Sequence, residues 1–171
     1  MSAGTGRRSF QPTRTLSSVD SPRDEITELL HTYAERIDAG DFEGVGDLFA
    51  DAEITFEGFD QVHRGRDEVQ ALYGSTTRRY GNGTPRTRHL ITNVIVEVDE
   101  QAGSATARSY FTVLQGVPGR LALQPIIAGR YHDRFAHQDG MWRFRSRHTV
   151  VDLIGDLGHH LLVDFDRPAD G

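Results

Sequence analysis

The chain has 171 residues, enough for one domain with a sizeable core. Its 25 acidic and 19 basic residues leave a net charge of −6, which argues against a general nucleic-acid binder. It has no cysteine, and all 19 basic residues are arginine. That excludes Schiff-base catalysis, pyridoxal phosphate attachment, a phosphate-loop lysine, thiol nucleophiles, disulfides and thiolate metal sites.

No apolar run reaches the length of a bilayer span. The opening segment lacks the apolar stretch of a secretory signal, so a cytoplasmic setting is expected. No Gly-rich dinucleotide fingerprint and no Gly-x-Ser-x-Gly elbow is present. Asn82-Gly83-Thr84 fits a glycosylation sequon but reads as a turn.

Residues 1–20 are rich in Ser, Thr, Gly and Arg without periodicity and read as a flexible N-terminal arm. The domain is expected over 21–155, with 156–171 a loose tail. Ser21-Pro22-Arg23-Asp24 is a helix start, with Ser21 as cap, Pro22 at the first helical position and Asp24 completing a capping box. Ile26, Leu29, Leu30, Tyr33 and Ile37 recur at helical spacing until Gly40. Asp41 caps a shorter helix with Phe42, Val45, Leu48 and Phe49 on its apolar face. Glu53 to Phe56 reads as a short strand. Gly65 to about Tyr80 reads as a third helix.

The second half is strand-like. Arg88–Asp99, Ala105–Leu114, Arg120–Phe135 and Met141–Leu153 read as a four-stranded antiparallel meander. Pro125 implies a bulge or edge position. In the last strand Trp142, Phe144, Ser146, His148 and Val150 alternate with Arg143, Arg145 and Arg147. The arginines read as a solvated or interface face, and His159-His160 as tail. Helices followed by an antiparallel sheet give an α+β fold.

Tyr33, Asp38 and His89 are the candidate catalytic residues. A carboxylate and an imidazole are the smallest set that can hold a base, orient it and stabilise its charged form. A phenol adds a hydrogen-bond donor. The eight histidines are scattered and form no His-Glu-x-x-His motif, so neither a metal nor another cofactor is expected.

The segments Ile37-Asp38-Ala39-Gly40-Asp41-Phe42, Arg88-His89-Leu90-Ile91-Thr92-Asn93, Gly129-Arg130-Tyr131-His132-Asp133-Arg134-Phe135 and Trp142-Arg143-Phe144 occur in that order. Together they resemble the nuclear transport factor 2-like superfamily, in its SnoaL-like branch with scytalone dehydratase and bile acid dehydratase. The resemblance implies a cone-shaped α+β barrel, its curved antiparallel or mixed sheet wrapped around the N-terminal helices and enclosing an apolar pocket. It also implies a homo-oligomer, dimer or trimer. In the dehydratases a helix Asp pairs with a strand His, and Asp38 and His89 stand at the matching positions. Tyr33 matches a helix Tyr of the bile acid dehydratases. The second His of scytalone dehydratase, on the next strand, has no counterpart in Ala105–Leu114.

Asn93, Tyr110, Trp142 and Phe144 are the candidate substrate-binding residues; for Trp142 and Phe144 core packing or a subunit contact is the competing reading. The expected function is cofactor-free acid–base catalysis, of dehydratase, lyase or isomerase type, on a small hydrophobic cyclic substrate such as a polyketide, steroid or terpenoid. No nucleic acid or membrane partner is expected. The open alternatives are a non-catalytic ligand-binding or assembly domain, or a scaffold like the small subunit of a ring-hydroxylating dioxygenase.

Overall fold

The structure, a computed structural model, describes residues 21–163. The N-terminal arm and the end of the expected tail, 164–171, lie outside the described residues. Local chemistry starts the first helix, α1 (Pro22–Ala39): Ser21 and Asp24 form the reciprocal capping box with Pro22 in the first turn. The apolar stripe of Ile26, Leu30, Tyr33 and Ile37 is buried. Gly40 ends the helix in the left-handed region at φ 75°.

Two constraints meet at Gly40. Its φ suits glycine, and a Cβ there would lie 2.3 Å from the Gly83 carbonyl oxygen. Gly40→Ala is therefore expected to lower stability by about 1–3 kcal/mol, read from the urea midpoint of unfolding. An unchanged midpoint would show that the helix end tolerates a side chain.

Asp41 caps α2 (Phe42–Leu48) by accepting from the Gly44 amide at 2.9 Å. β1 (Glu53–Phe56) and β2 (Val62–Arg64) form an antiparallel pair that leads into α3 (Gly65–Thr76). Four long strands follow: β3 (Thr87–Asp99), β4 (Ser104–Val117), β5 (Leu121–Gln138) and β6 (Met141–Ile154). The sheet is six-stranded and mixed, in the order β2-β1-β6-β5-β4-β3. The expected four-stranded meander is present as β3 to β6, but β1 adds to it parallel to β6 and carries β2 with it. The sheet is not closed: β2 and β3 are its edges, so the expected barrel is an open α+β sheet packed on helices.

α3 stops at Thr76 rather than near Tyr80. Thr77 pairs with Leu161, and the Arg78 amide donates to the His160 carbonyl at 2.8 Å. The backbone groups that would extend the helix are used by the returning C-terminal segment. Residues 156–163, expected to be part of a loose tail, are tied to the domain by these contacts.

The clean alternation expected in β6 breaks at Arg145. Arg134 pairs with Ser146 and Phe135 with Phe144, so Arg145 is an extra residue, a β-bulge that resets the period-two pattern. Trp142 and Phe144 are buried before it, and Arg147 and Thr149 after it. Arg147 is thus a core residue, not part of a solvated stripe. It pairs bidentately with Asp133 at 2.8 and 2.9 Å. Its guanidinium lies 3.9 Å from the ring centre of Tyr131 and 4.2 Å from that of Tyr33. Burial opposes the charge, but Asp133 outweighs it, and the guanidinium pKa is raised. Pro125 also sits where the register shifts, between Val113 and Leu114 of the facing strand, with Ile126 as the buried extra residue.

Candidate active site

Asp38 lies in the last turn of α1 and His89 near the start of β3, two elements that pack together. The Asp38 carboxylate accepts three hydrogen bonds. His89 Nδ1 donates to Oδ1 at 2.7 Å, the His89 amide to Oδ2 at 2.7 Å, and the Thr87 hydroxyl to Oδ1 at 2.6 Å. Both side chains are buried, 7% exposed for His89 and 6% for Asp38. Burial pushes the Asp38 pKa up. The hydrogen bond and charge of His89, with the Thr87 and amide donors, outweigh it and bring the carboxyl below its usual 3.8. Asp38 therefore stays ionised, fixes the Nδ1–H tautomer and leaves Nε2 as the ring's free acceptor nitrogen.

His89 forms part of the wall of a cavity of about 450 Å³. That is the size range of small-molecule sites. Phe56, Phe111, Val113, Ile127, Val151 and Leu161 are among its apolar lining residues. Tyr33 is in the same wall, its ring edge-on to His89 with centres 6.1 Å apart. Asp38 stands behind His89, off the cavity surface. Tyr33 shares a hydrogen bond with Tyr73, hydroxyl to hydroxyl at 3.0 Å, and Tyr131 completes a cluster of three phenols. Burial, then the neighbouring phenols, hold Tyr73 and Tyr131 well above the usual phenol pKa, so both remain hydrogen-bond donors.

The four expected substrate contacts do not line this cavity. Tyr110 is 53% exposed, because β4 alternation turns Phe111 and Val113 inward and Tyr110 outward. Asn93 is exposed at a bulge in β3, at φ 53°, a conformation asparagine tolerates. Phe144 stacks on Phe49 with ring centres 4.6 Å apart, and Trp142 is buried against His137, both in the core.

Sequence reasoning missed Tyr73 as a site residue, and it missed His160. His160 belongs to the cavity wall, brought there by the C-terminal segment. Burial first, then the charge of His89, pushes its pKa down to about 4 against the pull of Asp38. The sign follows from linkage. The unfolded chain binds this proton more readily, so stability is fully present above about pH 6.5 and falls as pH drops toward 4. Thermal melts across that window are expected to show a shallower pH dependence for His160→Gln than for the native chain. Equal slopes would mean that the ring titrates normally.

No group of three or more His, Cys, Asp or Glu among the described residues could hold a metal ion. No helix among them is long and apolar enough to cross a membrane.

Fold and site together define an open-sheet α+β pocket domain in which a helix carboxylate backs a strand imidazole. The chain belongs to the SnoaL-like domain family, whose model matches residues 21–148. A search of curated proteins found no match. Among solved structures, the chain is similar to an NTF2-like protein with a cystatin-like fold from Novosphingobium aromaticivorans, at 25% identity over 75% of this chain and 80% of that one, with a TM-score of 0.63. A protein of unknown function from Mycobacterium tuberculosis matches at 30% identity over 75% and 70% of the two chains, with a TM-score of 0.61. A protein from N. aromaticivorans assigned as a scytalone dehydratase shares the fold at 20% identity, over 75% and 83%, with a TM-score of 0.59.

Proposed function

We propose that this chain is a cofactor-free acid–base enzyme of dehydratase or isomerase type, acting on a small hydrophobic cyclic molecule of polyketide, steroid or terpenoid kind. The observation that carries the reading is the Asp38–His89 pair at the wall of the apolar cavity. His89 Nε2 removes a proton from carbon next to the substrate carbonyl. Asp38 stabilises the imidazolium that results and keeps the ring oriented. Tyr33, its hydroxyl bonded to that of Tyr73, donates to the departing hydroxyl. His89 returns its proton to that oxygen, which leaves as water, and a carbon–carbon double bond remains. Return of the proton to a different carbon gives isomerisation instead. General acid–base help of this kind contributes about 10²–10⁴-fold.

The test is a panel of cyclic β-hydroxy ketones and unconjugated cyclic enones in deuterated water. Mass spectrometry follows loss of water and uptake of deuterium beside the carbonyl. Enzyme-dependent uptake is the expected result. Ligands that bind without exchange or elimination would make the domain a binding module instead.

A further inference from the structure

One buried titratable group in the cavity has no part in this chemistry so far. His160 lies outside α1 and the long strands, yet it shares the cavity wall with His89. Its Nδ1 is buried and has no hydrogen-bond partner among the described residues.

The backbone around it is held from several sides. The His160 carbonyl accepts from the Arg78 amide at 2.8 Å. The preceding carbonyl, of His159, accepts from the Tyr80 hydroxyl at 2.6 Å and from the buried Gln115 amide at 3.1 Å. The following one, of Leu161, accepts from the Arg78 guanidinium at 3.2 Å, and the Leu162 amide donates to the Thr76 carbonyl at 2.8 Å. Three consecutive carbonyls are thus held by donors from β4 and the loop between α3 and β3, and the next amide by the last carbonyl of α3. A segment that only covered the cavity could do so with its leucines. Holding an imidazole against apolar walls with an unsatisfied nitrogen costs stability.

We propose that His160 is the substrate-oxygen contact of the site: its imidazole, with Nδ1 closed off from the cavity, donates a hydrogen bond through Nε2–H to the carbonyl oxygen that gains negative charge while His89 removes the proton. The proposal rests on the acid–base reading above and adds a residue to it. The two imidazoles divide the work. His89, backed by a carboxylate, is the base. Among the groups facing His160, Asp38 is the anion and His89 the neighbouring cation once protonated; burial and that cation keep His160 neutral, and a neutral ring still has one N–H to give. The electrons balance: the C–H pair moves into an enolate whose oxygen His160 holds. The enolate then collapses, forming the double bond and expelling the β-hydroxyl, which takes the proton from His89.

The test uses the full chain and two aromatic probes, 2-naphthol and naphthalene, which differ by one hydroxyl. The native chain is expected to bind 2-naphthol about tenfold more tightly, the contribution of one net hydrogen bond. His160→Phe should erase that preference while naphthalene affinity stays unchanged, which also shows that the cavity is intact. His160→Gln, which retains an N–H donor, should restore most of it. A preference that survives His160→Phe, or one absent from the native chain, overturns the proposal. The acid–base reading fails separately, if deuterium exchange survives His89→Ala.

Discussion

His89→Ala is expected to reduce turnover of any active ketone by about 10²–10⁴-fold, the span of a positioned general base. The ring is nearly buried, and its removal leaves Asp38 with its Thr87 and amide donors, so the carboxylate keeps two of its three hydrogen bonds. The fold should therefore survive, which circular dichroism and the urea midpoint would check. Asp38→Asn should remove most of the same activity by a different route. The amide can no longer accept all three donors, and a neutral group no longer stabilises imidazolium. Wild-type rates in either variant would remove the mechanism. A low rate in His89→Ala regained with added imidazole would show that the missing piece is the base itself.

Asp133→Ala is expected to lower stability by about 3–5 kcal/mol, the cost of leaving a buried charge without its partner. Arg147 would then sit at 1% exposure among Tyr33, Tyr131, Phe144 and Phe49, with only aromatic faces to balance it. For a chain of this length that corresponds to a fall of roughly 6–20 °C in Tm. The double change Asp133→Leu with Arg147→Met should recover much of the loss, because a packed apolar pair avoids the desolvation of both ions. The ion pair also bears on the site. The guanidinium lies against the rings of Tyr33 and Tyr131, two of the three cavity phenols. A fall in melting temperature of only a degree or two in Asp133→Ala would show that the arginine finds water or another acceptor.

Several features of the site were legible in the residues because they are local. The capping box and the apolar stripe from Ile26 to Ile37 define α1, and Gly40 marks its end two residues past Asp38. The β-branched run after Arg88 marks β3. Placing Asp38 opposite His89 came from the family resemblance rather than from either pattern, since two elements distant in sequence carry no periodicity in common. Two of the differences come from bulges. Period-two alternation was extended across β6, and both β3 and β6 contain a bulge. One inserted residue moves every later side chain to the other face. That is how Arg147 became core, while Asn93, at the bulge itself, turned out to solvent.

From the chain alone came the three helices and five of the six strands, the lack of lysine and cysteine chemistry, and the carboxylate and imidazole that could act as a pair. These follow from residue type and short-range spacing, which act before any long-range contact exists. Only the tertiary structure decided that β1 joins the sheet parallel to β6, that three tyrosines from different elements meet, and that His160 returns to the cavity. Those outcomes depend on which distant surfaces bury one another. A polar residue bound for a cavity looks, in sequence, the same as one bound for water.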